Sequence, residues 1–190
     1  GFGTAPLGNL YRAVDDETAE ATITAALEAG LLYADTAPYY GFGLAETRLG
    51  RAIAGNRDVV VSTKVGRVLE PLAATPERDR HGFVDAPAFA PVYDYSRDGI
   101  LRSHEASLKR LGRDRVDILY VHDIGRRVHG AAHDARMSEL LDKGGFAALE
   151  ELRDQKAVSA IGVGVNETAV CLELMERVSL DIILLAGRYT

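Results

Sequence analysis

Tryptophan is absent from this chain, and sulfur is scarce: 190 residues contain one cysteine and two methionines. A single cysteine cannot close an internal disulfide, which excludes a disulfide-built scaffold. Cys171 stands among apolar residues in a helical pattern, so a buried, inert thiol is expected rather than a nucleophile. Long apolar runs are missing too, and none approaches the roughly 18 residues of a membrane helix. Positive charge is in deficit: 22 Lys and Arg face 28 Asp and Glu, a net charge of −6. Phosphate backbones call for a basic surface, so nucleic acid is not an expected partner. The chain offers no convincing metal-ligand cluster and no nucleophile elbow. These absences fit a reducing cytoplasm.

What is present reads as an ordinary globular protein, with 47% apolar and 26% charged residues. The length suits one core, so a single domain over residues 1–190 is expected. Gly1 falls inside a strand pattern, and Thr190 follows closely on the apolar run Asp181-Ile182-Ile183-Leu184-Leu185. The chain therefore reads as part of a longer protein, truncated on its C-terminal side.

Strand and helix patterns alternate. Asp15-Asp16-Glu17-Thr18 places acids at a helix start, where the positive end of the dipole favours them. Ala19, Ile23, Ala26 and Leu27 follow at helical spacing, and Gly30 is the stop. Leu44, Leu49 and Ile53 mark a second helix, and Ile100, His104, Leu108 and Leu111 a third that begins near Ser96 and ends at Gly112. Phe146–Lys156 and the run Val170, Leu174, Val178 mark two more. Between them lie short runs at Gly1–Thr4, Leu31–Asp35, Val59–Lys64, Val116–His122, Ala160–Val165 and Asp181–Leu185, nearly all apolar as strands covered on both faces are.

This alternation predicts an α/β fold with a parallel sheet and helices outside it. A doubly wound sheet binding a dinucleotide should carry Gly-x-Gly-x-x-Gly after its first strand. Gly1-Phe2-Gly3 is followed by Thr4, Ala5 and Pro6, which fails. Gly41-Phe42-Gly43 and Gly162-Val163-Gly164 also lack the third glycine. The expectation is a (β/α)8 TIM barrel of which the first six strands are present, its active site collected from strand ends. The long connections Arg67–Tyr95 and Asp123–Gly144 would cover that end.

Three strand ends carry chemistry. Asp35 closes Leu31–Asp35, with Tyr40 five residues on; Lys64 follows Val59–Thr63; His122 follows Val116–Val121. A free phenol has a pKa of about 10 and is a poor acid at neutral pH. An ammonium close to a phenol oxygen favours the phenolate. These types in this order predict Tyr40 as general acid/base, Lys64 as its tuner, Asp35 as the lysine's partner and His122 as the group that orients a substrate carbonyl. Taken singly, Asp35 reads as a turn cap, Tyr40 as a packed aromatic, Lys64 as a strand-end lysine and His122 as a satisfied polar group. Four such residues at one edge of successive strands favour the functional reading. Hydride delivered by a bound nicotinamide supplies the driver that the side chains lack. His129 and His133 are four apart, but without an accompanying acid they read as solvated surface, and His104 as core edge.

On these residues the chain resembles the aldo-keto reductase superfamily. Asp35-Thr36-Ala37-x-x-Tyr40-Gly41 matches its signature, and Asp35, Tyr40, Lys64 and His122 its tetrad. The resemblance runs through the first six strands of the family's barrel. It implies NADP or NAD as cofactor, with Gly3, Thr4, Asp35 and Asn166 as contacts. The family's Ser-Asn pair reads Val165-Asn166 here, and by alignment on Tyr189 a frequent glutamine is Ala186. The segments Gly1–Tyr11, Ile161–Glu167 and Leu184–Thr190 are similar to a bacterial branch of aldose 1-dehydrogenases, acting on L-fucose or D-threo sugars, and pyridoxal 4-dehydrogenases. That implies a sugar or aldehyde substrate, and oxidation of a cyclic hemiacetal to a lactone.

Overall fold

Both faces of the central strands are covered. In the structure, a computed structural model describing residues 1–74 and 76–187, β3 (Val60–Val65) and β9 (Ala160–Val165) each bury five consecutive residues. Six strands form one sheet in the order β1 (Phe2–Gly3), β2 (Tyr33–Asp35), β3, β8 (Ile118–His122), β9 and β10 (Ile182–Leu185), and every neighbouring pair is parallel. The sheet curls as six staves of a (β/α)8 barrel, with helices outside. The expected fold class and strand set are those observed; Arg188, Tyr189 and Thr190, which entered the alignment at Ala186, lie outside the described residues.

The helices begin and end where the sequence chemistry requires. Asp15 caps α1 (Asp16–Glu28) by accepting from the Thr18 N–H at 2.7 Å. Ser96 caps α3 (Arg97–Leu111), which ends at Gly112 in the left-handed region, φ 61°. α2 (Leu44–Ala52) follows Gly43 at φ 93°. α6 (Gly145–Asp154) and α7 (Thr168–Met175) complete the expected set.

The two long connections are more ordered than the sequence pattern suggests. Residues 67–95 fold back as two antiparallel pairs, β4 (Arg67–Pro71) with β7 (Phe89–Tyr93), and β5 (Asp79–Arg80) with β6 (Phe83–Val84). Arg80 clamps this excursion by donating to the carbonyls of Phe89, Ala86 and Pro87 at 2.6, 3.0 and 2.6 Å. Its guanidinium lies 4.4 Å from the centre of the Phe42 ring. Residues 123–144 hold two helices, α4 (Arg126–His129) and α5 (His133–Leu141).

Strand alternation sets the faces. In β3, Thr63 donates outward to Glu46 of α2 at 2.6 Å, while Ser62 and Lys64 both reach Asp35. The same alternation pairs Tyr33 with Asp35 on β2 and Tyr120 with His122 on β8.

Candidate active site

Asp35 is where the polar interior converges. Lys64 Nζ donates to Asp35 Oδ2 at 2.6 Å and to the Thr36 carbonyl at 2.9 Å. Ser62 Oγ donates to Asp35 Oδ1 at 2.7 Å. With its hydrogen so used, Ser62 accepts from Tyr33 Oη at 2.9 Å, and Tyr33 in turn accepts from Tyr120 Oη at 3.2 Å. A directed chain of hydroxyls thus ends on the carboxylate. Burial and the Tyr33 hydroxyl raise the Tyr120 phenol far above its ordinary range, so it stays protonated.

Tyr40 leaves the sheet in the turn after β2. Gly41 is needed there twice over: its φ is 62°, and a Cβ on it would run into the Gly8 backbone. This close crossing holds the Tyr40 ring over Lys64, whose Nζ lies 4.6 Å from the ring centre. Lys64 is 2% exposed. Burial opposes its charge, but the Tyr40 phenol and the Asp35 carboxylate outweigh burial and hold its pKa above the ordinary lysine value.

His122 closes the other side, its ring edge-on to Tyr40 with centroids 5.8 Å apart. Burial, then the cations of Arg67 and Lys64, push its pKa well below the usual imidazole value, so the ring is neutral at pH 7. Its Nδ1 is buried without a hydrogen-bond partner among the described residues. Its main-chain carbonyl accepts from Tyr95 Oη at 2.7 Å.

The four residues of the sequence-predicted tetrad therefore come together. Tyr40, Lys64 and His122 line one half-open cleft of about 50 Å³ with Asp123, Gly164, Val165, Asn166, Leu184 and Ala186. A Cβ at Gly164 would lie 3.4 Å from Lys64 Cε, an ordinary van der Waals contact. Asn166 is at this cleft, its Nδ2 donating to Asp123 Oδ1 at 3.2 Å. Gly3 borders open space, with nothing within 4 Å of where a Cβ would be. Thr4 differs: it is fully buried, and its N–H and hydroxyl both go to the Asp35 carbonyl, at 2.9 and 3.1 Å. It fixes the strand end that carries Asp35 and offers no free side-chain donor.

The histidines outside the tetrad correct one expectation. His133 is 1% exposed, bonded to the Ile124 carbonyl at 3.1 Å and Glu173 Oε2 at 3.2 Å, and His129 Nε2 bonds Tyr95 Oη at 2.9 Å. They are packing groups of the helical insert rather than solvated surface, because α5 turns inward against Ile124 and α7. His104 is buried, and burial lowers its pKa. Among the described residues no group of three metal-ligating side chains occurs, and no helix is long and apolar enough to cross a membrane. Cys171 is buried, and burial raises its thiol pKa.

Sequence reasoning missed Ser62, Tyr33 and Tyr120, although each stands two residues before a tetrad strand-end residue and shares its face. It also missed Arg67 and Asp123. Arg67 Nη2 donates to Asp123 Oδ2 at 2.5 Å, and both residues are buried or nearly so.

Comparison with known proteins bears on this constellation. The model described as "Aldo/keto reductase family" matches residues 1–190. A pyridoxal 4-dehydrogenase of Microbacterium luteolum is 41% identical over 199 aligned residues, covering 100% of this chain and 58% of the relative. A D-threo-aldose 1-dehydrogenase of a Pseudomonas species is 41% identical over 198, covering 100% and 56%. The chain thus spans somewhat more than half the length of these relatives. Among solved structures, an aldo-keto reductase of Bacillus halodurans in its holo form superposes with a TM-score of 0.70 at 28% identity, over 96% of this chain and 51% of that one.

Proposed function

The chain belongs to the aldo/keto reductase family, and from that premise we propose that it oxidises a cyclic hemiacetal to the lactone, with a nicotinamide dinucleotide, NADP or NAD, as cofactor. The observation that carries this reading is the buried Lys64–Asp35 pair at 2.6 Å, set against the Tyr40 ring in a cleft shared with a neutral His122.

Each residue has a defined task. Tyr40 takes the proton of the anomeric hydroxyl, acting as general base, and returns it in the reverse direction. Lys64 stabilises the charge that develops on the Tyr40 oxygen. Asp35, oriented by Ser62, keeps Lys64 charged and in place. His122, uncharged and set edge-on to Tyr40, orients the substrate oxygen without competing for the proton.

The lining of the cleft matches a flat ring bearing a carboxamide in polarity, although the cleft itself, about 50 Å³, is smaller than such a ring. Val165, Leu184 and Ala186 give it an apolar side and Asn166 a polar one, while Gly3 leaves room at the first strand. Gly3, Asp35 and Asn166 would hold the nicotinamide, with Thr4 fixing the strand end that carries Asp35. When bound, that group supplies the hydride acceptor or donor that the side chains lack. Ala186 offers no side-chain hydrogen bond, so Asn166 carries more of the recognition.

The relatives support the substrate class. Their names point to pyridoxal and to an aldose. Both close in water to cyclic hemiacetals, so one chemistry serves either. An aldose is the favoured substrate and pyridoxal the alternative.

The test uses the full-length gene product with NAD or NADP against L-fucose, D-arabinose and pyridoxal, read by the absorbance of the reduced nicotinamide. Turnover with lactone as product is the expected result. Tyr40→Phe should lose turnover by ~10²–10⁴-fold with nicotinamide affinity unchanged. Nicotinamide binding without turnover of any of the three would overturn the dehydrogenase reading in favour of a regulatory barrel.

A further inference from the structure

A buried ion pair lies beside the cleft. Arg67 begins β4, directly after Gly66, whose φ is 98° and where a Cβ would strike the Tyr95 ring. The Arg67 guanidinium is stacked 3.9 Å from the centre of the Tyr39 ring and 5.1 Å from that of Tyr93. Its Nη2 donates to Asp123 Oδ2, while its Nε is buried without a partner among the described residues. The two side chains are 5% and 13% exposed.

Such a pair is a poor device for stability. Desolvation offsets most of the attraction, and packed apolar side chains of similar volume often do as well or better. Its neighbours point to another use. Asp123 Oδ2 lies 3.5 Å from His122 Nε2, and Asp123 Oδ1 accepts from Asn166 Nδ2 at 3.2 Å. Both contacts are groups of the proposed site. Asp123 also adopts φ 49°, a left-handed conformation costly for a residue with a Cβ, and its N–H is tied to the Gly164 carbonyl at 2.9 Å. Strain of this kind persists where the surroundings hold a side chain in one place.

We propose that Arg67 and Asp123 form a positioning pair: Asp123 fixes the His122 ring through Nε2 and the Asn166 amide through Nδ2, and Arg67 anchors Asp123 from the opposite side. This rests on the reading of His122 and Asn166 as site residues. A carboxylate beside Nε2 favours the hydrogen on that nitrogen, which leaves Nδ1 as the ring's free lone pair.

The test has a readout independent of turnover. In the full-length protein with ¹⁵N-labelled histidine, ¹⁵N shifts and long-range couplings at neutral pH should give His122 as a single neutral Nε2–H tautomer. A majority of the Nδ1–H form in the unaltered protein overturns the proposal outright. The double variant Arg67→Met/Asp123→Leu removes the pair without leaving a lone buried charge. It should melt near the unaltered protein, mix the His122 tautomers, lower kcat by about 10–100-fold and raise the nicotinamide KM. A folded double variant that keeps the tautomer, kcat and KM overturns the proposal. If that variant does not fold, Asp123→Asn keeps the shape and removes the charge, and unchanged His122 signals in it count equally against the proposal. An unaltered enzyme without turnover sinks the dehydrogenase reading alone, because the tautomer is read in its absence.

Discussion

Lys64 is charged in a place that should discharge it. Burial favours the neutral amine, yet the Tyr40 phenol and the Asp35 carboxylate hold its pKa above 10.5 in the folded protein. A folded pKa above the unfolded one means that the interaction contributes fully below the unfolded value. The contribution is lost as pH rises through the folded value. Urea midpoints of the full-length protein should therefore fall as pH is raised beyond 10.5, and Lys64→Met should show a shallower alkaline decline. Parallel declines in the two proteins would show that Lys64 gains nothing from its partners. The tetrad was legible because Asp35, Lys64 and His122 each end an apolar, strand-like run, and Tyr40 follows at a fixed distance. Ser62, Tyr33 and Tyr120 were legible in principle, since strand alternation puts each on the face of a tetrad residue. The Arg67–Asp123 pair was not, because its members are 56 positions apart in segments without periodicity.

Elements meet through a few polar ties whose partners come from different parts of the chain. Glu46 of α2 is fully buried, accepting from Thr63 Oγ1 of β3 and from Arg110 Nε of α3, each at 2.6 Å. Glu46→Ala would leave both donors without their acceptor directly behind the strand that carries Lys64. Loss of one partner of a buried pair costs about 3–5 kcal/mol, and about 2–3 kcal/mol is expected here because Arg110 reaches water. Equilibrium urea unfolding would measure it, and a loss below about 0.5 kcal/mol would mean that apolar packing alone joins α2, β3 and α3. Tyr95 is a second tie. Its hydroxyl gives its hydrogen to the His122 carbonyl and so receives the Nε2 hydrogen of His129. Burial and nearby Arg136 keep His129 neutral, with its pKa lowered to about 4. Tyr95→Phe should cost about 1–3 kcal/mol, since two buried partners lose their bond. It should also speed amide exchange across Arg126–Leu141, because the helical insert loses its anchor to β8. Unchanged exchange there would place the anchor at His133 instead. The regular helices were readable from caps and 3.6-residue spacing, whereas strands of two residues and a helix of four carry too little pattern to be seen.

Across the whole molecule the architecture was readable because apolar strands alternate with amphipathic helices and the glycine pattern of a dinucleotide-binding open sheet is missing. Six strands of an eight-stranded barrel already imply two unpaired edges, and the sheet is covered unevenly. β9, paired on both sides, buries five of its six residues. β10 is paired on one side only among the described residues, and its Ile182, Leu184 and Leu185 are half-buried while Ile183 is 37% exposed. β1, at the opposite edge, likewise has one partner strand, β2. An unpaired apolar edge presents free backbone donors and acceptors and invites association. The protein expressed as residues 1–190 alone should therefore bind a hydrophobic dye, self-associate as concentration rises and melt over a broad range. Analytical ultracentrifugation beside calorimetry tests this. A monomeric 190-residue chain with a sharp, concentration-independent transition would show that the six-stranded sheet is self-sufficient and that its edges are protected by the helices and loops already present.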